Sequence, residues 1–176
     1  MRSAMLFVLA SFAGTAHGQT PVPTPTPSCV AKEQRQFDFW LGEWSVKGAS
    51  GKHAGDSRIE SILDGCVLLE NWTGASGSNG KSFNIYNQQT GQWEQFWVDN
   101  QGSRLHLRGN FADGSMVLTG QQDRPDAKTG QIQRERITWT PNADGSVRQL
   151  WETSTDGGKS WTVSFDGLYT HPEPGK

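Results

Sequence analysis

The chain has 176 residues, with 16 Lys+Arg against 18 Asp+Glu and a formal net charge of -2, the size of one domain with room for tails but not for two globular units. No run of either sign occurs, so a nucleic-acid-binding or polybasic membrane surface is disfavoured. The 21 Gly and 8 Pro exceed a usual combined share of roughly 12% and argue for many tight turns rather than a helical bundle. Eight Trp in a chain only 34% hydrophobic mean that a few rings, each burying on the order of 150 to 250 Å², supply much of the core.

From the start of the chain, Met1-Arg2 precedes a mostly apolar stretch from Ala4 to Ala13, and Ala16-His17-Gly18 has the small-residue spacing read by a signal peptidase. Residues 1-18 are expected to be a secretory signal, cut before Gln19. The stretch is shorter than the roughly 20 apolar residues that span a bilayer, and nothing later is more apolar, so no integral membrane segment is expected. The remainder would carry 15 basic and 18 acidic side chains, a net charge of -3. Residues 19-28 alternate Pro with Thr, Val and Ser, which favours an extended polyproline II spacer. The folded domain is then 29-176. Its two cysteines, Cys29 and Cys66, would meet an oxidising compartment, where an even pair tends to bridge. Such a disulfide would stabilise by roughly 3 to 4 kcal/mol on the chain-entropy model.

Lys32 to Phe39 is the one plausible short helix. From Trp40 the chain repeats a single theme, seven to ten residues rich in Val, Ile, Thr and aromatics followed by Gly, Asp and Asn. The predicted strands are Trp40-Lys47, Arg58-Leu63, Val67-Thr73, Lys81-Tyr86, Gln92-Val98, Arg104-Phe111, Met116-Gln121, Gln131-Thr140, Ser146-Thr153 and Trp161-Tyr169. Turns such as Asp64-Gly65, Asp113-Gly114 and Asp144-Gly145 tolerate positive φ and close hairpins, and connections so short force antiparallel neighbours. Ten strands joined in order leave two exposed edges unless they close. The expected fold is therefore all-β, an antiparallel up-and-down β-barrel of about ten strands.

Gly42-x-Trp44 resembles the Gly-x-Trp signature of the lipocalin-like (calycin) barrels, in which the ring plugs one end. The wider pattern comprises Phe-Asp-Phe-Trp-Leu-Gly-Glu-Trp over 37-44, Gly65-Cys66 with Glu70-Asn71-Trp72, a Gly-rich loop and a closing Phe165-Asp166-Gly167-Leu168-Tyr169. It looks like a family of exported bacterial proteins of unknown function with a lipocalin-like barrel, and it covers 29 to 170. The resemblance implies a fold, with Gly42 and Trp44 structural, and no activity. Ser154-Thr155-Asp156-Gly157-Gly158-Lys159-Ser160-Trp161 resembles the Asp box of sialidase propellers. With one copy and no propeller repeat, it is read as a turn in which Asp156 accepts backbone N-H bonds and Trp161 packs beneath.

Strand side chains alternate between lumen and solvent, and the sequence leaves open which row faces in. The rows that mix rings with polar groups supply the candidate ligand-binding residues: Gln95 and Trp97 on the Gln92-Val98 strand, Gln149 and Trp151 on the Ser146-Thr153 strand, Glu70 near Trp72, Asn84 with Tyr86, and Arg136 near Arg134. A mostly apolar pocket with a few polar groups is the usual form of a small-molecule site.

Enzyme templates are poorly represented. His53, His106 and His171 have no two-His metal spacing, and there is no nucleophile elbow or phosphate loop, so neither metal nor cofactor is indicated. Mid-strand Glu70, Glu94, Glu135 and Glu152 permit acid/base work without specifying it. Glu135, between Arg134 and Arg136, reads as a surface charge, and the Asn71-Trp72-Thr73 sequon as coincidence. Three functions are carried forward: an exported barrel binding a small amphipathic or apolar ligand; a haem-binding barrel, through a resemblance to the nitrobindins, with His171 or His106 as ligand; and an isomerase or hydrolase using Glu70 or an Arg/Tyr pair. A pure interaction module is the remaining possibility, and the oligomeric state is open.

Overall fold

The computed structural model describes residues 29-127 and 129-172. The expected signal and spacer, 1-18 and 19-28, lie outside the described residues. Two turns of 3-10 helix, Lys32–Arg35 and Asp38–Trp40, stand where one short helix was expected. Ten strands follow: β1 (Gly42–Gly48), β2 (His53–Ile62), β3 (Val67–Gly74), β4 (Asn79–Asn87), β5 (Gln92–Asp99), β6 (Arg104–Ala112), β7 (Ser115–Gln121), β8 (Arg134–Pro141), β9 (Val147–Ser154) and β10 (Thr162–Thr170). Each pairs antiparallel with its sequence neighbour, and β1 pairs β10, which closes the sheet into an up-and-down barrel and leaves no free edge. The largest boundary difference is β2, which begins five residues earlier than expected. The polar stretch His53-Ala54-Gly55-Asp56-Ser57 carries no β-branched residue, yet it is held by pairing to both β1 and β3, an instance of tertiary context overriding local propensity.

Because each strand reverses direction, the β2–β3, β4–β5, β6–β7 and β8–β9 turns share one end of the barrel with the start of β1. The segment before β1 folds across that end as a plug. Phe37 stacks on Trp40 with centroids 5.1 Å apart and meets Trp93 and Trp139 edge-on at 5.6 and 5.2 Å. All four rings are essentially buried. The plug is tied down by polar bonds from both sides. Trp93 Nε1 donates to the Glu33 carbonyl at 3.2 Å, Arg35 donates to the Gly65 carbonyl at 2.8 Å and pairs with Asp38, and a Cys29–Cys66 disulfide joins the start of the segment to the β2–β3 turn. Trp44 points inward just above it, 2% exposed, its Nε1 donating to the Trp40 carbonyl at 2.9 Å.

Candidate functional site

Burial alternates along β2, β7 and β8, and the pairing register carries the inward row from these to the other strands. Directly paired residues share a face, so the register Ile59↔Glu70↔Ser82↔Trp97↔Leu105 and, on the far wall, Ile137↔Trp151↔Phe165 are rings of side chains directed into the lumen. Above the plug these rings surround a cavity of about 360 Å³, near the lower end of the roughly 300 to 1,000 Å³ of small-molecule sites. Gly74, Ser76, Ser78 and Asp99 also line it, so it opens at the end away from the plug, among the β3–β4 and β5–β6 turns.

Its aromatic wall is made of Trp72, Trp97, Trp151 and Phe165. Trp72 and Phe165 approach across the lumen with centroids 6.3 Å apart. Two of the rings occupy the space that a side chain at a glycine would need. A Cβ built on Gly80 would fall 2.2 Å from the Trp97 ring, and one on Gly55 would fall 2.8 Å from that of Trp72, so only glycine leaves these indoles in place. Trp151 is oriented by Glu135, whose Oε2 accepts its Nε1 at 2.7 Å.

The polar floor centres on Glu70, which is 4% exposed. Ser82 Oγ donates to its Oε2 at 2.7 Å and Ser57 Oγ to its Oε1 at 3.3 Å. Burial in a lumen without a facing cation pushes its pKa up from 4.5 to about 7, against the pull of the two hydroxyls. Beside it runs a network whose polarity the backbone dictates. The Leu68 carbonyl can only accept, so Asn84 presents Nδ2 to it (3.1 Å) and turns Oδ1 toward Gln95, which must answer with Nε2 at 2.9 Å. On the opposite wall Tyr169 OH donates to Gln149 Oε1. Burial, and next the nearby Glu70, raise the Tyr169 pKa well above its usual value.

Of the residues singled out from sequence, Glu70, Gln95, Trp97, Gln149 and Trp151 line this cavity. Asn84 faces the lumen behind Gln95 as part of the supporting network. Tyr86 also points inward but packs on Trp93, centroids 6.0 Å apart, toward the plugged end. Arg136 lies on the outer wall, paired with Glu152 at 2.9 Å and stacked 4.1 Å from the Trp161 ring. Phase explains this: Ile137 and Trp139 are fully apolar neighbours on the inward row, so the odd-numbered residues of β8 face in and Arg136 must face out.

The same phase corrects the reading of Glu135 as a surface charge. It is 1% exposed, and beyond Trp151 its Oε1 accepts Gln133 Nε2 at 2.8 Å. Ser57, Ser82 and Asp99 carry no signal in the sequence reading, and Phe165 and Tyr169 enter it only as the ends of the closing pattern, without a site role. Propagating register from an inward Trp44 through each hairpin is the signal that could have found them. Neither histidine considered for haem lines the cavity. His106 stacks on Phe96 at 4.2 Å and reaches Glu94 on the outer wall, and His171 stacks on Trp44 at 4.0 Å beyond the last strand. Among the described residues no group of three or more His, Cys, Asp or Glu could hold a metal. In the β9–β10 turn, Asp156 Oδ1 accepts the Lys159 and Ser160 amides, both at 2.9 Å. Trp161 folds back on that turn through a 3.1 Å bond to the Gly158 carbonyl.

Fold and site together define a class, a closed ten-stranded up-and-down barrel, consistent with a lipocalin-like fold, plugged at one end and opening at the other into an aromatic cavity with a buried acid. No protein-family model matches the chain, and no match was found among curated proteins.

Proposed function

We propose that this is an exported protein whose barrel, residues 29-176, binds one small amphipathic molecule in the open half of its lumen, with residues 1-18 removed as a signal and 19-28 left as a spacer. The observation that carries this reading is the cavity itself: about 360 Å³ reaching the end away from the plug, walled by three Trp rings and Phe165 and floored by the convergent polar groups of Glu70, Gln95, Gln149 and Tyr169. A core packed only for stability would fill such a space. The Cys29–Cys66 disulfide suits an oxidising compartment, and no helix among the described residues is long and apolar enough to cross a membrane.

The test is the mass of the protein expressed with its own leader, measured under native and then denaturing conditions. A mass lost on denaturation, together with quenching of Trp emission when the released compound is added back, supports the reading. A bare mass together with emission indifferent to a panel of small amphiphiles refutes it.

A second reading, catalysis of proton transfer on a bound substrate, is favoured by one observation, the burial of the Glu70 carboxyl at the cavity floor, which pushes its pKa up to about 7, where a general acid or base works best. Turnover lost in Glu70→Gln would support an isomerase or hydrolase, and retained turnover would acquit that residue.

A further inference from the structure

The cavity's chemistry is one-sided. Among the described residues that line it there is no Lys, Arg or His; the ionisable groups are Glu70, Asp99 and Tyr169. Glu70 takes part in no ion pair with any described residue, and its oxygens accept only the two serine hydroxyls beneath, so part of its lone-pair capacity is left for a donor arriving from the lumen.

Close to Glu70 the N–H and O–H donors are spent, while across the cavity Gln149 accepts with Oε1 and keeps its Nε2 for a ligand. Gln95 uses its amide donor on Asn84, Trp151 its indole N–H on Glu135, and Tyr169 its hydroxyl on Gln149. What remains toward the cavity from Glu70 and Gln95 is oxygen. Trp72, Trp97, Trp151 and Phe165 line the same cavity as these acceptors, and aromatic rings attract cations. An acid buried without a partner is costly, and the missing element is a positive charge with N–H donors.

We propose that the ligand is an organic ammonium ion, a protonated amine on a small apolar or aromatic body, its ammonium group held by Glu70 and Gln95 and its body among Trp72, Trp97, Trp151 and Phe165. This rests on the binding reading above and names its ligand class. An anionic ligand would meet two carboxyl groups and no cation, and a neutral one would leave Glu70 unpaired. Asp99, at the mouth, is held below the usual carboxylate range by backbone hydrogen bonding at Ser103, which places a second negative charge on the path of entry. The titratable group facing Glu70 from the opposite wall is Tyr169, which burial keeps neutral, and no basic group faces it among the described cavity-lining residues. Below about pH 7, where Glu70 holds its proton, pairing with the ammonium therefore releases that proton to solvent.

Three probes of one shape separate the possibilities by Trp quenching: phenethylammonium, 2-phenylethanol and phenylacetate. At pH 8 the ammonium should bind at least about tenfold more tightly than the alcohol, an advantage of about 1.4 kcal/mol, with phenylacetate weakest. In Glu70→Gln the advantage should collapse while the alcohol's affinity is retained, which also reports an intact pocket. Should that variant misfold, the wild type alone decides: the ammonium's affinity should rise about tenfold per pH unit up to about pH 7 and then level off, with the alcohol's flat throughout. The alcohol or the acid binding as well as the ammonium, or an ammonium affinity independent of pH, overturns the ammonium assignment and leaves the binding reading standing. Failure of all three to bind removes both.

Discussion

Glu70 is where the demands of packing and of chemistry conflict. Its folded-state pKa of about 7 exceeds the ordinary 4.5, so between those values the folded protein holds a proton that the unfolded chain has released. Stability contributed by the neutral form is complete below pH 4.5, declines as pH rises and is gone above about 7, a change of about 3 kcal/mol. Urea unfolding from pH 5 to 8 should therefore show a falling stability in the wild type and a flatter profile in Glu70→Gln; equal slopes would mean that Glu70 ionises normally. The contribution of Asp166 has the opposite sign: its pKa is lowered by the bond from Arg148, so it is lost in acid and does not confuse this window.

Gly80 makes a second prediction at the same scale. With the Trp97 ring 2.2 Å from where a Cβ would stand, Gly80→Ala should push the indole from the cavity wall, cost about 1 to 3 kcal/mol as overpacking does and alter the near-ultraviolet circular dichroism. An unchanged Trp spectrum would show that the ring has room to yield.

Among the elements, the plug and the β9–β10 turn carry the least regular sequence and the most specific bonds. Phe37 is fully buried against three Trp rings, and Phe37→Ala should cost about 3 to 5 kcal/mol, read as a shift in the urea midpoint; a loss below about 1 kcal/mol would mean that the plug is dispensable. In the turn, Asp156 gathers the Lys159 and Ser160 amides and two serine hydroxyls. These bonds, led by that from the Ser160 hydroxyl, hold its carboxyl well below the usual range. Asp156→Ala should speed hydrogen exchange at the Lys159 and Ser160 amides and lower Tm, while leaving exchange in β3 and β4 unchanged.

These elements also show what was legible beforehand. The Gly, Asp and Asn turns announced ten strands, and the Asp156 turn was readable from its own eight residues, because a side chain bonding to its neighbours is a local matter. The start of β2 was not readable, since its polar residues are strands only by virtue of partners on both sides.

On the scale of the molecule, the barrel is closed by backbone pairing between β1 and β10 and stoppered by the segment that the disulfide anchors. Cys29 and Cys66 are 37 residues apart, so opening the bridge should cost roughly 3 to 4 kcal/mol on the chain-entropy model. Chemical unfolding with and without reductant measures this, and an unchanged midpoint would mean that the plug's polar bonds to Glu33 and Gly65 suffice.

The number of strands, their antiparallel order and the pairing of the two cysteines followed from the sequence alone, because turn chemistry, period-two patterning and an even cysteine count act over short stretches of chain. Which row of each strand faces inward was decided only by closure. A one-residue change of phase exchanges lumen for solvent, and in rows as mixed as those of Gln92 to Val98, where Trp93, Gln95 and Trp97 alternate with Glu94, Phe96 and Val98, hydrophobicity does not choose. Glu135 beneath Trp151, Arg136 outside and the convergence of Glu70, Gln95 and Tyr169 on one cavity depend on register carried around the whole barrel, a property that no single strand possesses.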